Sequence, residues 1–144
     1  MEITTHSLEE FKSQARRFAA GLNVASDHAT IVALSGDLGA GKTTFVQEVA
    51  AYFGIPEPVT SPTFVIEKVY ECASGPFKRL IHIDAYRLKG AHDLEILGWR
   101  EIIIDPNNLI LLEWPERVGD AVPESAIRIS IKHIDGETRE FIIA

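Results

Sequence analysis

Apolar residues recur at helical spacing near the start of the chain, at Leu8, Phe11, Ala15, Phe18, Ala19 and Leu22. Ser7 and Glu10 precede that run in capping-box order, so the pattern predicts an amphipathic helix over 8–21 that covers one face of a domain. Thr30–Ser35 (TIVALS) is short, apolar and flanked by polar residues, as a buried strand should be. Lys42 to Phe53 reads as a second helix, with Phe45, Val46, Val49 and Ala50 on its apolar side and Gly54 as its stop. Residues 55–63 carry three prolines and read as a loop with few apolar anchors, mobile until something orders it. Phe64–Tyr70, Leu80–Ile83 and Asn108–Leu112 read as strands, and Asp93–Trp99 as a helical stretch with a glycine near its end. Two last apolar stretches, Ala126–Ile134 and Thr138–Ile143, meet at Asp135-Gly136, a pair that tolerates the positive φ of a tight hairpin turn.

Strands alternating with helices point to an α/β fold. The expected architecture is a single P-loop domain over residues 1–144, with a central mostly parallel sheet flanked by helices and a C-terminal antiparallel hairpin. The length of 144 residues suits one core, and 46% hydrophobic with 24% charged residues is the composition of an ordinary globular chain. Cys72 is the single cysteine, which excludes an intramolecular disulfide and reads as a free thiol in a reducing compartment. The first residues lack the apolar core of a signal peptide, and no apolar run reaches the roughly 18 residues of a membrane span. A cytoplasmic location is expected. The net charge of −7 argues against independent nucleic-acid binding, because neutralising phosphates dominates that affinity.

The chemistry concentrates after the first strand. Gly36-Asp37-Leu38-Gly39-Ala40-Gly41-Lys42-Thr43 satisfies G-x-x-x-x-G-K-[ST], with an apolar strand before it and a helix after it. Glycines permit a tight loop whose amides turn inward around a phosphate, and the helix N-terminus favours the same anion. Lys42 is placed to reach the β- and γ-phosphates, and the Thr43 hydroxyl to ligate Mg²⁺. Hydrolysis also needs an acid to order the metal and a group to orient water. Asp84, at the end of a strand, suits the metal, against the competing reading of a residue that caps the next turn. Glu113 ends another strand and suits the water, against a solvated strand-end acid. Thr63 is a candidate to complete the metal shell from the proline-rich loop, with Ser61 and Thr60 as competitors. Trp114 either stacks on the base or packs in the core, and core packing is the commoner fate of a tryptophan. The five histidines show no ligand-like clustering; His82 reads as filling a strand position near the site.

Four stretches together, GDLGAGKTT (36–44), SPTF (61–64), HIDAYRL (82–88) and LEWPERV (112–118), resemble the TsaE ATPases of bacterial tRNA threonylcarbamoyladenosine (t6A) synthesis. The phosphate loop alone is shared by many hydrolases; its combination with the other three is specific. The resemblance covers residues 36 to 118 closely and implies ATP and Mg²⁺ as cofactors. It extends the nucleotide-binding set to Thr44 and Trp114 and implies Thr63 in a switch-like loop. Asp84 is implied as a Walker-B-like acid, and Glu113 as a second catalytic acid that also faces the metal. It further implies a partner, a separate threonylcarbamoyl-transferase complex with TsaD- and TsaB-like subunits, so that tRNA is met only indirectly and no membrane is involved. Nothing is carried over to the first 30 residues or the C-terminal hairpin.

Three other functions compete. A GTPase would need N/T-K-x-D and D-x-x-G; the first is absent, and Asp84 is followed by Ala85-Tyr86-Arg87. A small-molecule kinase would need an arginine-rich lid, whereas Arg87, Arg100 and Arg117 are scattered. Against a non-catalytic module gated by ATP, Glu113 beside the site argues for turnover, although a slow enzyme and a switch would look alike in the sequence.

Overall fold

The computed structural model describes residues 1–37, 39–59 and 66–144. Its strands are β1 (Glu2–Thr5), β2 (Thr30–Ser35), β3 (Glu67–Glu71), β4 (Arg79–Asp84), β5 (Asn108–Glu113), β6 (Ile127–Asp135) and β7 (Thr138–Ile143). The helices are α1 (Leu8–Ala20), α2 (Lys42–Tyr52), α3 (Ala91–Ile96) and α4 (Trp99–Ile103), with a 3₁₀ stretch at Pro115–Ala121.

The strands form one sheet in the order β1-β7-β6-β2-β5-β4-β3. Pairings β6·β2, β2·β5 and β5·β4 are parallel, while β1·β7, β7·β6 and β3·β4 are antiparallel. The sheet is therefore mixed rather than mostly parallel. The parallel part lies in the middle, and each edge is finished by antiparallel strands, of which β6 and β7, and β3 and β4, are joined by short connections.

Both faces of that centre are covered, and β5 is buried along its whole length. Val32, Leu34, Leu80, Leu109, Leu111 and Ile129 face α1 and α2, where they meet Phe11, Ala15, Phe45 and Val49. The alternate residues Ile31, Ala33, Ile81, Ile83, Ile110 and Leu112 face Leu94 of α3 and Trp99 of α4. This two-residue alternation lets a continuous apolar run serve two cores.

Helix α1 starts as its cap predicts, with the Ser7 hydroxyl accepting from the Glu10 amide at 3.1 Å. The Glu10 carboxylate accepts from the His6 amide at 2.7 Å, one residue earlier than a strict capping box. Other expectations are corrected. The helix expected over Asp93–Trp99 is two short helices, because Gly98 turns left-handed at φ 81° between them, and Leu94 and Trp99 both reach the core. Strand β3 starts at Glu67 and runs one residue past Tyr70; Phe64 and Val65 of the expected strand lie outside the described residues. Strand β1, absent from the sequence reading, pairs with β7. Of the loop expected over 55–63, the described part is anchored, since Ile55 and Val59 are buried and Gln47 Nε2 donates to the Val59 carbonyl at 2.8 Å, while residues 60–63 lie outside the described residues. Among the described residues no helix is long and apolar enough to cross a membrane.

Candidate phosphate-binding site

Strands β2, β4 and β5 run parallel, so their C-terminal ends share one edge of the sheet. Leu34 of β2 is opposite Glu113 of β5, and Glu113 is opposite Asp84 of β4. The glycine loop leaves β2 at that edge and re-enters the fold as α2. A cleft of about 230 Å³ opens there, lined by Asp37, Gly39, Gly41, Lys42, Thr43, Thr44, Asp84, Glu113, Trp114 and Arg139. The two acids and the loop that the sequence proposed separately are thus brought together. Gly36 and Ala40 lie behind this cleft, Ala40 buried, lining a second hollow beside β6. Leu38, Thr60, Ser61 and Thr63 lie outside the described residues.

The loop's path depends on its glycines at two points. Gly36 has φ 153°, and a Cβ there would come 2.5 Å from the Ile131 carbonyl oxygen. Gly41 has φ 117°, and a Cβ would come 2.9 Å from Phe11 Cζ. Either contact would push the loop off β6 or α1. Gly41 caps α2 with no side-chain hydrogen bond to the first-turn amides, and no acid occupies that turn. Among the described residues these amides have no side-chain acceptor, an arrangement that suits an anion.

Lys42 is 6% exposed. Its Nζ donates to the Gly36 carbonyl and, at 3.2 Å, to the Asp37 carbonyl, and lies 4.3 Å from the centre of the Trp114 ring. Burial pushes its pKa below the usual value, while Glu113, Glu116, Asp84 and Asp37 push it back up. Asp84 is shifted the other way. Burial holds its carboxyl above the ordinary range; the Tyr86 amide, donating to Oδ1 at 3.0 Å, opposes this, and Glu113 adds to it.

Trp114 is half-buried and packs against the core on the α3 and α4 side. It is the one non-glycine with positive φ (59°) among the described residues, an unfavourable conformation for a bulky side chain. That backbone turn lays its ring over Lys42 and 5.0 Å from Tyr86.

Sequence reasoning placed His82 near the site without its partner, and missed Arg139. Glu113 is buried, and its Oε2 lies 2.5 Å from Nε2 of the buried His82. Arg139, from β7, donates through Nε to the Ala40 carbonyl at 3.0 Å, with its guanidinium 5.4 Å from the Phe11 ring. The signal for the His82–Glu113 contact was the position of His82 two residues before Asp84, on the same face of a strand. For Arg139 there was none, because it is 99 residues from its partner.

The donor set suits a hard cation held mainly by a nucleotide. Thr43 and Asp84 offer a hydroxyl and a carboxylate, and Mg²⁺ takes few protein oxygens beside phosphate and water. Among the described residues no three His, Cys, Asp or Glu side chains gather as an all-protein metal site.

Known proteins are similar over nearly the whole chain. Residues 5–141 match the family model described as Threonylcarbamoyl adenosine biosynthesis protein TsaE. The tRNA threonylcarbamoyladenosine biosynthesis protein TsaE of Rickettsia bellii is 37% identical over 135 residues, covering 93% of this chain and 88% of that protein. The protein of the same name from Treponema pallidum is 36% identical over 118 residues, covering 82% and 84%. The crystal structure of Bacillus subtilus YdiB superposes with a TM-score of 0.75 at 31% identity, covering 98% of this chain and 82% of that one.

Proposed function

The chain belongs to the TsaE family of threonylcarbamoyl adenosine biosynthesis proteins, and from that premise we propose that it is a Mg²⁺-dependent ATPase supporting a separate threonylcarbamoyl-transferase complex. The observation that carries this reading is the meeting of Lys42, Thr43, Asp84 and Glu113 in one cleft at the start of α2. A phosphate loop alone would bind nucleotide; two carboxylates at its mouth give it the parts for hydrolysis.

The placement of the described residues, and for Thr63 the family resemblance alone, supports the following roles. Residues 36–44 wrap the phosphates with their amides, and Lys42 exchanges its Gly36 and Asp37 carbonyls for phosphate oxygens. Thr43 and Asp84 would hold Mg²⁺, with Thr63 completing the shell from its loop. Bound Mg²⁺ supplies charge that offsets what develops on the transferring phosphoryl group. Glu113 orients the attacking water and lies near enough to Asp84 to sense the metal. Trp114 flanks the nucleotide while restraining Lys42. With a net charge of −7, the chain meets tRNA through the complex rather than directly.

Steady-state phosphate release tests this in three mixtures: the chain alone, with tRNA, and with TsaD- and TsaB-like subunits. Hydrolysis should be slow alone, unchanged by tRNA and raised by the complex. A partner that lifts the competent fraction from about one in a hundred to near unity would give roughly a hundredfold. Full activity alone, unchanged by the complex, refutes the subunit role. No hydrolysis in any mixture refutes the ATPase.

A further inference from the structure

We propose that His82 is a positioning residue for Glu113: its Nε2–H fixes Oε2 of the carboxylate and leaves Oε1 as the oxygen that addresses the attacking water. The inference rests on the ATPase reading above, and it assigns His82 a task that the phosphate loop and the two acids leave open.

The placement is specific. His82 and Asp84 are two apart on β4, and Leu111 and Glu113 two apart on β5, with His82 opposite Leu111 and Asp84 opposite Glu113. All four side chains therefore lie on the face that carries α2. His82 sits one step deeper than the two acids, under the cleft floor. Its side chain is 1% exposed and that of Glu113 is 4% exposed, so neither relies on bulk water. An apolar residue at position 82 would suit the surrounding core, but it would leave a buried carboxylate oxygen without a donor.

The tautomer follows from the unpartnered atom. His82 Nδ1 is buried and has no hydrogen-bond partner among the described residues. With the proton on Nδ1, a buried N–H would be orphaned, and the bare Nε2 lone pair would face carboxylate lone pairs across 2.5 Å. With the proton on Nε2, the short contact is a hydrogen bond to a carboxylate, and only an acceptor is left unpaired. The ring is therefore a donor to Glu113. A glutamate has a broad terminal torsion, so a carboxylate that lines the cleft without a donor has more than one orientation open to it. One buried donor narrows them, and a carboxylate turned away from the water by an ångström loses rate rather than affinity.

Three variants and one spectrum test the assignment. His82→Leu removes the donor, His82→Gln returns one near the Nε2 position, and His82→Asn places one nearer Nδ1. Measured with the complex, His82→Leu and His82→Asn should lower kcat about 10- to 100-fold, the usual cost of losing a supporting hydrogen bond. The dissociation constant for Mg-ATP should stay within about threefold, since Glu113 acts after binding. His82→Gln should recover most of the lost kcat. Equal rates in all variants, a parallel loss of ATP affinity, or a Gln variant no better than Asn overturns the proposal. If His82→Leu fails to fold, the contrast between Gln and Asn still decides. Independently of hydrolysis, ¹⁵N-resolved spectra of the nucleotide-free chain should show His82 protonated at Nε2 and bare at Nδ1; the reverse overturns it. A wild-type protein that never hydrolyses ATP fails the ATPase reading and the positioning role together, whereas normal hydrolysis in His82→Leu fails the positioning role alone.

Discussion

Replacing Lys42 with Met removes the charge at the phosphate loop while keeping an apolar stem of similar length under Trp114. In the free chain, Nζ is held by the Gly36 and Asp37 carbonyls and by the Trp114 ring at 4.3 Å. A phosphate oxygen about 4 Å from that ammonium is attracted by roughly 4 kcal/mol at an effective dielectric constant near 20. Releasing the carbonyls and the ring returns about 1–2 kcal/mol of that. The net loss is about 2–3 kcal/mol, or roughly 30- to 150-fold in ATP affinity. The fold should tolerate the change. Burial lowers the Lys42 pKa, so the folded chain sheds this proton more readily than the unfolded one, and the charge costs stability at neutral pH. Removing it offsets the lost hydrogen bonds. Titration calorimetry with Mg-ATP reads the affinity directly. In a melt at ATP near 100 times the wild-type dissociation constant, the ligand should add about 2.7 kcal/mol to wild type and about 0.4 kcal/mol to a variant weakened a hundredfold. A variant that melts like wild type and binds ATP within about threefold of it would refute the phosphate-loop assignment.

The other predictions separate the remaining parts. Asp84→Asn should lose the Mg²⁺-dependent part of ATP affinity yet melt at or above wild type without nucleotide at neutral pH. Its folded pKa lies above the ordinary 3.8, so the ionised carboxyl costs stability above the folded pKa, and the gain fades as pH falls towards 3.8; a lower melting point at neutral pH refutes this. Glu113→Gln should slow hydrolysis about a hundredfold or more while leaving ATP affinity nearly unchanged, and equal losses in both would reverse the assigned roles. Arg139→Met should cost about 1 kcal/mol, a few degrees in melting temperature, because a charged hydrogen bond to Ala40 is lost from a half-buried position; an unchanged melt means that the hairpin does not brace the loop.

What could be read in advance was local. The strand–loop–helix from Thr30 to Phe53 follows from an apolar run, glycines and a helical stripe within one window, and its bounds agree with the structure to a residue. The Asp135-Gly136 turn is local too, and Gly136 takes its positive φ of 44°. Pattern failed where tertiary contacts decided. Glu2–Thr5 becomes a strand only because β7 offers it an edge, and four residues carry too little alternation to declare that. The stripe through Asp93–Trp99 looked continuous because Leu94 and Trp99 both face the core, but they do so from two helices separated by Gly98. For the site, Lys42, Thr43, Asp84 and Glu113 were identifiable one by one, since each stands at the end of a recognisable strand or loop. Their grouping in one site was expected from the chemistry, and the strand order that brings them together was not.

The missing part is the support beneath the chemistry, and it is remote in sequence for a physical reason. A phosphate loop built on glycines has little intrinsic rigidity, because the freedom that lets it wrap an anion also lets it collapse. Its shape must be imposed from outside, and here the constraints come from both ends of the chain. Phe11 of α1 closes on Gly41, the Ile131 carbonyl of β6 on Gly36, and Arg139 of β7 on the Ala40 carbonyl. Phe11 and Phe141 stack with centroids 4.7 Å apart, which ties α1 to β7 directly behind the loop. The first helix and the final hairpin, which carry no recognisable motif, therefore form the wall against which the motif holds its shape. A wall needs only apolar bulk and one well-placed donor, so many sequences can build it and none leaves a signature. The order of the chain makes the same point about the acids. Asp84 and Glu113 are adjacent because two parallel strands end together, and His82 reaches Glu113 because the pleat puts it one step below.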